Sequence, residues 1–60
     1  MLIEIGQDTI GYYVRVIAHD GSIHQMEVGI KSKKQARQIA TTIADRLVEQ
    51  GEAIRLTDKT

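Results

Sequence analysis

Sixty residues with zero formal net charge, 42% hydrophobic content and no cysteine make one small domain, 1–60, with no disulfide, no thiolate zinc site and no broad cationic field for a polyanion. A chain this short buries only about 60% of the surface its unfolded form exposes, so a partner is a natural supplement to its stability. No apolar run reaches the roughly 18–20 residues of a membrane span, and the opening MLIEIGQD lacks the basic start and apolar core of a secretion signal, so a soluble cytoplasmic protein is expected.

The first element is a strand over 2–5, whose Ile3 and Ile5 are expected in the core. Two further strands follow, 12–18 and 23–29, joined across His19-Asp20-Gly21. A two-residue Asp-Gly turn would pair Val16 with Gln25 and Val14 with Glu27, mixing valines and polar residues on one face. A three-residue loop with a left-handed Gly21 shifts the register by one. It sets Tyr12 against Val28, Val14 against Met26 and Val16 against His24. On the other face it sets Tyr13 against Glu27, Arg15 against Gln25 and Ile17 against Ile23. The expected register is this second one, because it leaves one face apolar for a covering helix.

The helix is read at 33–50. Ala36, Ile39, Ala40, Ile43, Ala44, Leu47 and Val48 form one apolar stripe. Ser32 and Gln35 make an S-x-x-Q capping box, and Gly51 supplies the C-terminal stop. A last strand is expected at 53–57, with Ile54 and Leu56 joining the core. Its pairing is open: beside the first strand, or exchanged into a second subunit. The fold class is α+β, a two-layer β-β-β-α-β sandwich with an antiparallel sheet and one helix on the face of Val14, Val16, Met26 and Val28.

From Tyr12 to about Val48 the pattern resembles the arm-DNA-binding domain at the N-terminus of phage and transposon tyrosine integrases. The residues that carry the resemblance are YYVRV, the Asp-Gly turn, and Ile30, Ser32, Lys33, Lys34 and Ala36 at the helix start. It implies a three-stranded sheet followed by a helix, with Tyr13, Arg15 and Gln25 as the DNA contacts.

Two surfaces are candidates for binding. One is the outward sheet face, expected to hold Tyr13, Arg15, Ile17, Ile23, Gln25 and Glu27, where the opposed Ile17 and Ile23 make an apolar patch through which the chain is expected to self-associate or meet a partner. The other is KSKKQAR. Lys31, Lys33, Lys34 and Arg37 load a helix start with cations that oppose its dipole. No acid lies three or four residues from Lys33, Lys34 or Arg37 on the helix. On these grounds Lys33, Lys34 and Arg37 are not expected to stabilise the fold, and an anionic partner is expected to supply the missing charge. The charge is also uneven along the chain: residues 1–30 carry −3 and residues 31–60 carry +3.

No chemistry-bearing cluster stands out. His19, Asp20 and His24 do not converge as a metal set. Ser22, His24 and Asp20 lack a nucleophile elbow and a substrate pocket. No catalytic residue, metal, cofactor or small-molecule substrate is therefore expected. The expectation is a non-enzymatic interaction module, homodimeric, binding an acidic protein in a regulatory or mobile-element setting. A DNA-binding protein of the integrase arm type is the alternative, which the zero net charge disfavours.

Overall fold

A computed structural model describes all 60 residues. The elements are β1 (Leu2–Gln7), β2 (Tyr12–Ile17), β3 (Ile23–Ile30), α1 (Lys33–Glu49) and β4 (Arg55–Asp58). They form one four-stranded sheet in the order β3-β2-β1-β4, with α1 packed on one face. The α+β two-layer sandwich expected from the sequence is the observed architecture. The sheet is mixed, however, and not antiparallel throughout. β1–β2 and β2–β3 are antiparallel, whereas β4 runs parallel to β1. The reason is topological. β3 runs in the direction of β1, and a crossover helix returns the chain to the end of the sheet from which β3 began.

Both ends of α1 are set by local chemistry. Ser32 Oγ accepts a hydrogen bond from the Gln35 N–H at 3.1 Å. The return bond from the Gln35 side chain is not formed, so this is a simple N-cap and not the full box. At the other end Gly51 has φ 84°. The Glu52 N–H donates to the Leu47 carbonyl at 3.0 Å and the Gly51 N–H to Val48 at 2.9 Å. Those two bonds are the Schellman closure of a helix end.

The core is small. Ile3, Ile5, Val14 and Val16 are fully buried from the sheet, and Ala36, Ala40, Ile43 and Leu47 meet them from the helix. Ala36 and Ala40 present almost no side chain, which lets the helix backbone settle close to β1 and β2. Only Ile30, at the end of β3, joins this cluster from the third strand. Val48 lies off the buried stripe and is exposed. Leu56 sits on the outermost strand beyond the cover of α1 and is also exposed, so it is not the core residue expected of it.

The hairpin register differs from expectation. Gly21 is left-handed, φ 89°, and Ile17 does pair with Ile23. Beyond that pair a bulge at His24 shifts the ladder, giving Val16↔Gln25, Arg15↔Met26 and Val14↔Glu27. A second bulge at Gly29, φ 68°, brings Ile30 opposite Tyr12. Gln25 and Glu27 therefore lie on the helix side. Met26 and Val28, expected in the core, lie on the open side, 47% and 56% exposed. The expected register assumed that the helix covers all three strands. It covers β1 and β2 and reaches β3 only at Ile30, so burial imposes no apolar pattern on the middle of β3.

Gly21→Ala tests the turn. A Cβ there meets nothing within 4 Å, so the cost is the backbone conformation alone, about 1–2 kcal/mol. The denaturation midpoint should fall accordingly, and an unchanged midpoint would contradict the left-handed turn.

Candidate interaction surface

One face of the sheet has no layer on it. β1 contributes Leu2, Glu4 and Gly6 to this face. β2 contributes Tyr13, Arg15 and Ile17, each opposite its β1 neighbour. Strand alternation adds Ile23, Met26 and Val28 from β3, and Arg55 and Thr57 from β4. Of the residues expected on this face, Tyr13, Arg15, Ile17 and Ile23 are here. Gln25 and Glu27 are not, because the His24 bulge turned them to the helix side.

The centre of the face is a buried charge. Glu4 is only 3% exposed although nothing is stacked above it. Its cover comes from its own ligands. The Arg15 guanidinium donates to Oε1, the Tyr13 hydroxyl lies 3.4 Å from the same oxygen, and Lys59 Nζ lies 3.3 Å from Oε2. The Tyr13 ring folds across Gly6, where any side chain would collide with it. The Arg15 guanidinium stands 5.6 Å from the centre of that ring, a cation–π distance. The Lys59 backbone N–H is tied to the Ile5 carbonyl at 2.8 Å, which fixes the lysine next to the strand. Burial alone would raise the Glu4 pKa. The hydrogen bonds and charges of Arg15 and Lys59 outweigh it and hold the carboxyl below its usual range.

The face therefore has two halves. Toward β3 it is apolar: Ile17 pairs with Ile23, and Met26 and Val28 continue along the strand. Toward β4 it is basic: Arg15, Arg55 and Lys59 accompany one carboxylate, Glu4, which is already engaged.

The basic helix start is less free than its sequence suggests. Lys33 Nζ lies 3.9 Å and Arg37 Nη2 3.0 Å from Asp58 Oδ2. Asp58 Oδ1 accepts from the Thr60 hydroxyl at 2.5 Å and the Thr60 N–H at 3.0 Å. These bonds, those of Thr60 first and that of Arg37 next, hold the Asp58 carboxyl far below its usual range. The missing anion is thus supplied within the chain. It was hidden because it comes from β4, whose pairing the sequence left open. Lys31 and Lys34 are exposed and form no salt bridge. A shallow groove of about 720 Å³ runs along the exposed side of the helix past Lys34, Gln38 and Thr42.

No three His, Asp or Glu side chains come close enough to hold a metal ion. Ser22 Oγ donates to Asp20 Oδ1 at 2.6 Å, and the Ser22 N–H reaches the same oxygen at 2.9 Å. Serine and aspartate here close a turn. Those two bonds also lower the Asp20 pKa, the hydroxyl contributing most. No family model, curated protein or solved structure matches this chain. No helix is long and apolar enough to cross a membrane.

Sequence reasoning missed Glu4, Arg55, Lys59, Met26 and Val28 as residues of this face. For Glu4 a signal existed: a carboxylate between two core isoleucines on a strand that pairs antiparallel with the strand of Arg15. Nothing in the sequence marked the bulge that exposes Met26.

Two predictions follow from these charges. Glu4→Gln leaves Arg15 and Lys59 without their anion, and at pH 7 it should cost roughly 1–2 kcal/mol, discounted for partial exposure of both cations. Because the folded pKa of Glu4 is lowered, its contribution is complete above the unfolded value near 4 and vanishes as pH falls through the folded value. The melting temperatures of wild type and variant should therefore converge in acid; a constant gap from pH 7 to pH 2 would contradict the assignment. The second prediction splits the two lysines. Lys33→Glu sets a carboxylate beside Asp58 and should lower the melting temperature, whereas Lys34→Glu should leave it unchanged or raise it. Equal effects of the two variants would contradict the Asp58 clamp.

Proposed function

We propose that this chain is a small non-enzymatic interaction module that works as a homodimer and binds an acidic protein on its open sheet face. The observation that carries the reading is the split character of that face. An apolar strip of Ile17, Ile23, Met26 and Val28 lies toward the β3 edge of the face, and exposed Arg55 and Lys59 toward its β4 edge. Contiguous apolar side chains left outside the core mark interaction sites, and the flanking cations select a partner with carboxylates next to its own apolar anchors. Regulatory or mobile-element service fits a module of this size.

A second reading has one observation in its favour. Glu27, an acid expected on the outward sheet face, is turned away from it. Tyr13, Arg15, Arg55 and Lys59 then share that face with a single engaged carboxylate. The apolar strip is what favours protein, since a phosphate backbone has nothing to place on it.

Selection from a displayed random peptide library tests the proposal. The selected peptides should combine acidic with large apolar residues. Their affinity should fall at least tenfold for Ile17→Lys and for Arg55→Glu, and should weaken as salt rises. Selected peptides that bind both variants as well as wild type would refute the open-face assignment. Binding of a duplex oligonucleotide with a steep salt dependence would establish the second reading instead.

A further inference from the structure

The two edges of the sheet are built differently. β4 is four residues long and carries Arg55 and Asp58, with Lys59 next. Shortness and charge are common means of keeping an edge strand from pairing with another chain. β3 is eight residues long and contains no lysine, arginine or proline; Glu27 and the two bulges are what blunt it. Between its two bulges, 25–27 run regularly against β2, and the other side of these residues is unpaired. Such an edge offers a row of free N–H and C=O groups to an incoming strand.

The residues of β3 select the strand that fits. If a second β3 pairs antiparallel about a two-fold axis, facing residues share a sheet face only when one residue sits on the axis. Centring on Glu27 opposes two carboxylates, which is destabilising. Centring on Gln25 or Val28 runs the ladder into the bulge at His24 or Gly29. Centring on Met26 opposes no like charges and leaves three pairs, at residues 25, 26 and 27, before Val28 meets the bulge at the partner's His24. Met26 then meets the partner's Met26 on the open face, and each Gln25 amide faces the partner's Glu27 carboxylate.

We infer that two copies of this chain join through β3 in this register, making one sheet of eight strands, four from each copy. This specifies the contact of the homodimer proposed above and rests on that reading only for the dimeric state. The helices do not obstruct it. Each α1 lies over β1 and β2, so the two axes would stand about 19 Å apart at ~4.8 Å per strand, roughly twice the usual helix packing distance. The space between them is floored by Gln25 and Glu27 of both copies. Polar side chains on the helix side of β3 suit that open space. On the opposite side the two open faces become one, with the apolar strips of both copies at its centre and the basic strands at its ends.

Cysteine cross-linking tests the register, since the chain has no cysteine of its own. Met26 would face its copy at a Cα separation of about 4.5–5.5 Å, within disulfide range. Val28 would stand about 14 Å from its copy, four residues out of register. Under mild oxidant Met26→Cys should give a covalent dimer and Val28→Cys should not. No cross-link at Met26→Cys, or equal cross-linking of the two, overturns the inference. Sedimentation of Gln25 variants supplies an independent readout. At low salt Gln25→Lys should tighten the dimer by roughly tenfold through two new ion pairs, and Gln25→Glu should weaken it by a similar factor. Both differences should shrink in high salt. Identical dissociation constants would overturn the register. Loss of peptide selection on the open face, with Met26→Cys cross-linking intact, would remove the acidic partner and leave the dimer standing.

Discussion

The seat of α1 on β1 and β2 decides most of this structure. Ala36 and Ala40 are fully buried and bring the helix down onto Ile3, Ile5, Val14 and Val16. A single helix about 10–12 Å wide with its side chains covers little more than two strands spaced about 4.8 Å apart. In a four-stranded sheet the outer strands are then left with little cover. β3 is released from the requirement to face apolar residues toward the helix, and β4 carries charges on both sides.

Those charges hold the last strand in place. Successive strand residues point to opposite faces. Asp58 reaches down to Arg37 and Lys33 at the start of α1, and Lys59 reaches across the open face to Glu4. One carboxylate and one ammonium thus fasten β4 to both layers of the sandwich. The backbone bonds from Arg55 to Met1 and from Lys59 to Ile5 complete the attachment. Glu4 in turn stands where a two-sided core would place an apolar residue. Its burial is tolerable because Arg15, Lys59 and Tyr13 satisfy it, as a charge taken out of water requires. They also serve as the only cover over the middle of the sheet.

Local signals in the sequence were sufficient for the elements and for the ends of the helix, while the first strand runs on to Gln7 and the last begins only at Arg55. The alanine-rich stripe, Ser32 and Gly51 bound the helix, and the left-handed Gly21 marked the turn. What could not be read was anything set by the width of the helix. The alternation of β3 has two solutions, and the choice between them depends on whether the helix reaches that strand. Assuming that it does put Met26 and Val28 inside and Gln25 and Glu27 outside, the reverse of what is found. The parallel pairing of β4 was likewise invisible, and with it the Asp58 partner of Lys33 and Arg37. The Ile17–Ile23 pair survived because it lies next to the turn, before the first bulge.

The most direct test of this account is a methyl NOE spectrum of the protein, read at Met26 and Val28. With α1 over β1 and β2 alone, the Met26 methyl should show contacts to Arg15 and neighbouring open-face side chains, and none to the helix. Ile30 should contact the helix from the same strand. Cross-peaks from Met26 or Val28 to Ala40 or Ile43 would place β3 in its other register, beneath the helix, and the apolar strip and the pairing edge would both be lost.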